Sequence, residues 1–260
     1  MSLFCLCSAH GSPGVTTTAL ALAGVWPERR RCLLVEADPF GGVIAARLGL
    51  NDTPGLASLA SVARRGFDTE LAWRHAQKLP GGLPVLVGPP SAEQAHAVLR
   101  DLARVLADWC VTERDVDVIV DCGRIAPGSP ILEVMVQAEK VLVLTRPSAD
   151  QLRPAAHQLR TLDTSGTRVG LLLVGDTPYG PAEVASALGV DVAGMVAFDA
   201  RASEALAGGA GGGDLRRSLL VRSVASLAES LGPGPADSTA QEFEPGLVSP
   251  AVDVSGEVAT

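Results

Sequence analysis

The chain has 260 residues, 47% of them hydrophobic, enough for one substantial core. Its formal net charge is −8, but residues 232–260 hold five acidic residues and no Lys or Arg, so the remainder carries 24 acidic against 21 basic residues, near −3. That balance argues against a large basic nucleic-acid face, and with no uninterrupted apolar run of about 18 residues, no membrane-spanning helix is expected.

Apolar strand-like runs alternate with helix-like runs. Residues 3–7 predict a first strand, followed by a glycine-containing loop and a helix over about 17–25. Residues 32–35 predict a second strand, ending in Glu36-Ala37-Asp38-Pro39-Phe40-Gly41-Gly42, a loop rich in carboxylates and turn formers. Helices are expected over about 43–48, 55–64 and 68–77, then a third strand at 83–87. Ser91 is positioned to cap a helix reaching about 107. Residues 116–121 predict a fourth strand closed by Cys122-Gly123; residues 141–144 predict a fifth, with a helix over about 150–162; residues 169–174 predict a sixth. A helix over 181–188, a short strand over 190–197, a short helix over 201–206, a glycine run and a helix over 214–231 follow. The last helix carries Leu215, Leu219, Leu220, Val224, Leu227 and Leu231 on one stripe, expected to pack on the domain.

Continuous apolar strands between helices predict an α/β protein: a single doubly wound domain over residues 1–231, a mostly parallel sheet of about seven strands with helices on both faces. Residues 232–260, rich in Gly, Pro, Ser and acids, are expected to form a disordered acidic tail. The five cysteines fit neither a disulfide framework nor a zinc pattern and read as buried thiols. The start of the chain lacks a signal-peptide pattern, so a cytoplasmic location is expected.

In such sheets ligands bind outside the carboxyl ends of the strands, where the loops at Gly11, Asp38 and Cys122 all emerge. Gly11-Ser12-Pro13-Gly14-Val15-Thr16-Thr17-Thr18-Ala19 joins a strand to a helix. That is the arrangement of a phosphate-binding loop, whose backbone N–H groups and helix N-terminus meet an anion. Counted from Gly11 on G-x-x-x-x-G-K-[ST], Thr16 replaces the second glycine, Thr17 the lysine, and Thr18 falls at the Mg²⁺-binding hydroxyl. Pro13 removes one N–H donor, and a hydroxyl cannot bring a lysine's full charge to a phosphate. Gly11, Ser12, Pro13, Gly14, Val15, Thr16, Thr17, Thr18 and Ala19 are the candidate nucleotide-binding residues. Asp38 is a candidate for activating water, and Asp121 with Thr18 for holding Mg²⁺; the structural alternative is that both carboxylates cap turns. Arg124 and Arg146 are candidates by position to replace the missing charge, against the ordinary reading as solvated arginines, and His10 reads as a lone structural or solvated histidine. Glu36 raises a dinucleotide alternative in which it would hold a ribose, but the required glycines would fall at Pro13 and Thr16.

Together the three loops resemble the MinD/ParA family of P-loop ATPases. The family loop K-G-G-V-G-K-T-T is matched by Ser12-Pro13-Gly14-Val15-Thr16-Thr17-Thr18-Ala19 with both lysines replaced, Ser12 at the signature lysine and Thr17 at the phosphate-binding one. The run from Leu33 to Gly42 resembles the family's D-x-D-P-x-G switch, with Glu36 at the first acid and Asp38 at the water-positioning one. Residues 116–123 resemble the Walker B strand with Asp121 at the magnesium position, and residues 188–199 resemble the segment near the adenine. The resemblance spans about residues 2–230.

The resemblance implies ATP and Mg²⁺ as cofactors and a homodimer or a protein partner. It implies a positioning or assembly factor in cell division, partitioning, or pilus or secretion localisation, with weak or absent hydrolysis because both lysines are gone. Two alternatives stand beside it: an active Mg-ATP hydrolase using a lysine-free loop, and a nucleotide-independent interaction scaffold.

Overall fold

In the computed structural model, the described residues are 2–231 except 28, 29, 65, 80, 114, 164, 165 and 209–214. The expected tail at 232–260 and most of the glycine run lie outside them. Strands β1 (Leu3–Ser8), β2 (Arg31–Glu36), β5 (Val116–Arg124), β6 (Lys140–Thr145) and β7 (Val169–Val174) are buried along nearly their whole length. This is the consequence of apolar runs without alternation, which need cover on both faces. With β3 (Gln77–Lys78), β4 (Pro84–Leu86) and β8 (Val192–Val196) they form one eight-stranded sheet in the order β3-β4-β2-β5-β1-β6-β7-β8. Every pairing is parallel except the two-residue edge strand β3 on β4.

Ten α-helices are described: α1 (Val15–Gly24), α2 (Ile44–Leu48), α3 (Leu56–Ala63), α4 (Thr69–His75), α5 (Ala92–Thr112), α6 (Leu132–Val136), α7 (Ala149–Asp163), α8 (Pro181–Leu188), α9 (Ala200–Leu206) and α10 (Leu219–Leu231). One core layer joins α1, α2, α9 and α10 to one face of the sheet; α3 to α8 cover the other. The doubly wound α/β expectation is met, with eight strands rather than seven. The expected 68–77 helix stops at His75, because Gln77 and Lys78 pair with Val85 and Pro84 instead. Ser91 caps α5 by accepting from Gln94 N, and that helix runs to Thr112.

The last helix is interrupted. Leu215–Arg217 make a short 3₁₀ turn, and Ser218 Oγ donates to Leu215 O and accepts from Val221 N to start α10 afresh. The break rotates Leu219 off the expected stripe to 61% exposure, while Leu220, Val224 and Leu227 remain buried against α1 and the sheet. Cys5, Cys7, Cys110 and Cys122 are buried and Cys32 is half-buried; all five are free thiols. Among the described residues no helix is long and apolar enough to cross a membrane.

The sheet order brings β2, β5 and β1 side by side. Their carboxyl ends therefore deliver the Asp38, Gly123 and Gly11 loops to one place.

Candidate functional site

The loop after β1 turns on two glycines with left-handed backbone, Gly11 (φ 66) and Gly14 (φ 103), conformations that side chains resist. Gly14 is the N-cap of α1, and Thr18 N donates to its carbonyl at 2.9 Å, closing the first helical turn. The helix thus begins directly after Gly14, which offers a second register for the loop beside the one read from the sequence. Counted from Gly14 as the last glycine of the loop, Val15 takes the lysine position and Thr16 the metal-binding hydroxyl. Thr18, expected as the metal-binding hydroxyl, is 2% exposed and packed along α1. Thr16 is the hydroxyl that faces Asp121, close enough to favour its ionised form. By the same count His10 rather than Ser12 falls at the signature-lysine position; His10 is exposed. Val15 and Ala19 are buried in the core.

A cavity of about 340 Å³ collects the loop residues Gly11, Ser12, Gly14, Val15, Thr16 and Thr17 with Asp38 from the β2 loop and Gly123 from the end of β5. A neighbouring cavity of about 200 Å³ shares Ser12, Gly14 and Thr17 and adds Pro13, Thr18, Arg146, Val196 and Phe198. Phe198 is 59% exposed, with the Arg146 guanidinium 5.1 Å over its ring. Asp199, in the same segment, caps α9 by accepting from Ala202 N.

Asp38 lines the first cavity, and two buried carboxylates, Asp121 and Glu36, lie near it. Asp121 is fully buried; its Oδ1 accepts from Gly123 N at 3.0 Å, while Oδ2 has no hydrogen-bond partner. Burial pushes its pKa up from 3.8 to about 7; the Thr16 hydroxyl and the Gly123 N–H oppose the rise, and nearby Glu36 and Asp38 reinforce it. Asp38 is half-buried, and burial raises its pKa against the pull of the Phe40 N–H and of Arg124. Its carboxylate rests on Gly123, where a Cβ would overlap it.

Glu36, 1% exposed, points inward: it accepts from Val43 N (2.6 Å), Ile44 N (2.8 Å) and Gly88 N (2.9 Å). Burial still holds its pKa above the usual range. A carboxylate so engaged ties the Asp38 loop, the start of α2 and the turn after β4 together, so it is not available to a ribose, which removes the dinucleotide reading.

An orphaned, buried carboxylate oxygen beside a hydroxyl is a donor set suited to Mg²⁺, completed by phosphate oxygens and water. Among the described residues no cluster of three or more His, Cys, Asp or Glu could hold a metal by itself. Asp121 and Thr16 would therefore bind the ion together with its ligand. When bound, magnesium neutralises phosphate charge and orients the phosphate chain.

The sequence reading missed two contributors. Arg47 lines the first cavity from α2, beside Arg124, which the sequence did nominate. Gln151 of α7 lies over Gly11 with its Oε1 buried and unpartnered. Both are far from the loop in sequence, and no local signal marks them.

No protein-family model and no curated protein matches the sequence. Solved structures do match in fold. The cell division ATPase MinD of Pyrococcus furiosus aligns with a TM-score of 0.69 at 21% identity, over 88% of this chain and 98% of that one. The septum site-determining protein MinD of Pyrococcus horikoshii, complexed with Mg-ADP, aligns with a TM-score of 0.71 at 18% identity, over 89% and 96%. A ParA family ATPase from Chlorobium tepidum aligns with a TM-score of 0.71 at 18% identity, over 87% and 98%. The chain has the fold of the MinD/ParA P-loop ATPases.

Proposed function

We propose that the chain is a positioning or assembly factor that holds a magnesium nucleotide weakly and turns it over slowly or not at all. The observation that carries this reading is the convergence of Thr16, Asp38 and the orphaned Asp121 oxygen at a glycine-turned helix start. The phosphates would occupy the first cavity with Mg²⁺ held by Asp121 and Thr16, and the base would lie in the second cavity against Phe198. Val15 in place of lysine and Pro13 in place of an N–H donor are what weaken the site.

Structural neighbours that include a MinD and a ParA ATPase support a role in positioning, exercised through a homodimer or a protein partner. The position of Asp38 in the same cavity favours a second reading, an active Mg-ATP hydrolase. Two measurements on the full chain separate these: light scattering with and without Mg-ATP, and phosphate release from wild type and Asp38→Ala. A nucleotide-dependent change in oligomeric state with negligible phosphate release supports the positioning reading. Turnover abolished by Asp38→Ala supports the hydrolase. Neither response contradicts both and leaves a nucleotide-independent scaffold.

A further inference from the structure

The first cavity has no cation from its own loop: Val15 is apolar, and the two lysines of the chain lie in β3 and at the start of β6. Yet two arginines line it from other elements, Arg47 from α2 and Arg124 from the end of β5. We infer that Arg47 and Arg124 supply the positive charge of this cavity and make it a site for an oligophosphate chain; this rests on the nucleotide reading above.

The backbone of Arg47 is fixed in α2: its main-chain N–H donates to Val43 O at 3.0 Å, so the two residues sit one helical turn apart, and both line the cavity. The turn that carries them is pinned by Glu36, which accepts from Val43 N and Ile44 N. The Arg124 guanidinium lies 4.4 Å over the Phe40 ring. Stacking engages the face of a guanidinium and leaves its in-plane N–H donors for an anion. Neither arginine forms an ion pair among the described residues.

Arginine suits this task differently from lysine. A loop lysine acts as a point charge, whereas two planar forks from separate walls can each take a phosphate in bidentate fashion. Both side chains are also attached to the Asp38 neighbourhood, Arg47 through α2 and Arg124 through Gly123 and Phe40. A bound oligophosphate would therefore draw the β2 loop and the β5 end together.

The test is calorimetric titration of the full chain with Mg-ATP and, separately, with magnesium tripolyphosphate, on wild type, Arg47→Gln, Arg124→Gln, the double variant and Arg104→Gln. The last removes an equal charge from an exposed position of α5. Binding should weaken at least tenfold in each single variant, vanish in the double variant and stay unchanged in Arg104→Gln. If wild type and the double variant bind both probes within twofold of one another, the arginine assignment is overturned and the nucleotide reading stands. If tripolyphosphate binds in an arginine-dependent way and Mg-ATP does not, the assignment stands and the nucleotide reading falls. If wild type binds neither probe, both fall. Circular dichroism checks folding; should Arg124→Gln unfold, Arg47→Gln, an exposed helix position, decides alone.

Discussion

Asp121→Asn isolates the most perturbed carboxylate at the candidate site. Without Mg²⁺, the folded protein holds the Asp121 proton more tightly than the unfolded chain, because burial raises its pKa from 3.8 to about 7. The folded state therefore binds more protons than the unfolded one across that window. Stability is fully present below the unfolded pKa and is lost as pH rises toward 7. The gap is roughly three pH units at about 1.36 kcal/mol each, or about 4 kcal/mol in all. Asparagine mimics the protonated acid: its carbonyl can still accept from Gly123 N, and no charge must be buried. The stability of Asp121→Asn relative to wild type should thus rise by about 4 kcal/mol between about pH 4 and about pH 8. Urea unfolding in EDTA, followed by tryptophan fluorescence and circular dichroism, measures it. A difference that stays flat with pH, or that shrinks as pH rises, would refute the burial argument.

Three further outcomes follow from the same geometry. Glu36→Gln keeps an acceptor for Val43 and Ile44 but turns a donor toward the Gly88 N–H, so urea unfolding should show a loss of about 1–3 kcal/mol. Gly123→Ala must adopt φ 55 and displaces the Asp38 carboxylate; unfolding should register about 1–2 kcal/mol of strain, and Mg-ATP affinity should fall in the same variant. Cys7, Cys110 and Cys122 are buried with thiol pKa values pushed well up by desolvation, so an aromatic disulfide reagent near neutral pH should label them only on unfolding.

The fold was legible because its signal is local and continuous. Val169–Val174 and Pro181–Leu188 match their expected bounds, one an unbroken apolar run and the other a proline-started helix. Where pairing is non-local, legibility ended: β3 is two residues long and exists only because it meets β4, and the five-residue α6 is too short to show a period. The strand–glycine–helix form of the loop was legible, but its register was not. Two glycines followed by three consecutive threonines allow two counts, and only the left-handed backbone of Gly14 at the helix start favours the count that proposes Thr16 rather than Thr18. Asp38 and Asp121 could be nominated from strand ends. The inward role of Glu36 and the reach of Arg47 depend on where α2 packs, which no local pattern encodes.

The proposed function requires that a lysine-free loop holds a magnesium nucleotide through Thr16 and Asp121. The most direct measurement is calorimetric titration of the full chain with ATP, with and without Mg²⁺, on wild type, Thr16→Val and Thr18→Val. The expected result is saturable, magnesium-dependent binding that weakens in Thr16→Val and is retained in Thr18→Val. Absence of heat up to millimolar nucleotide, or loss in Thr18→Val with Thr16→Val unaffected, would contradict it.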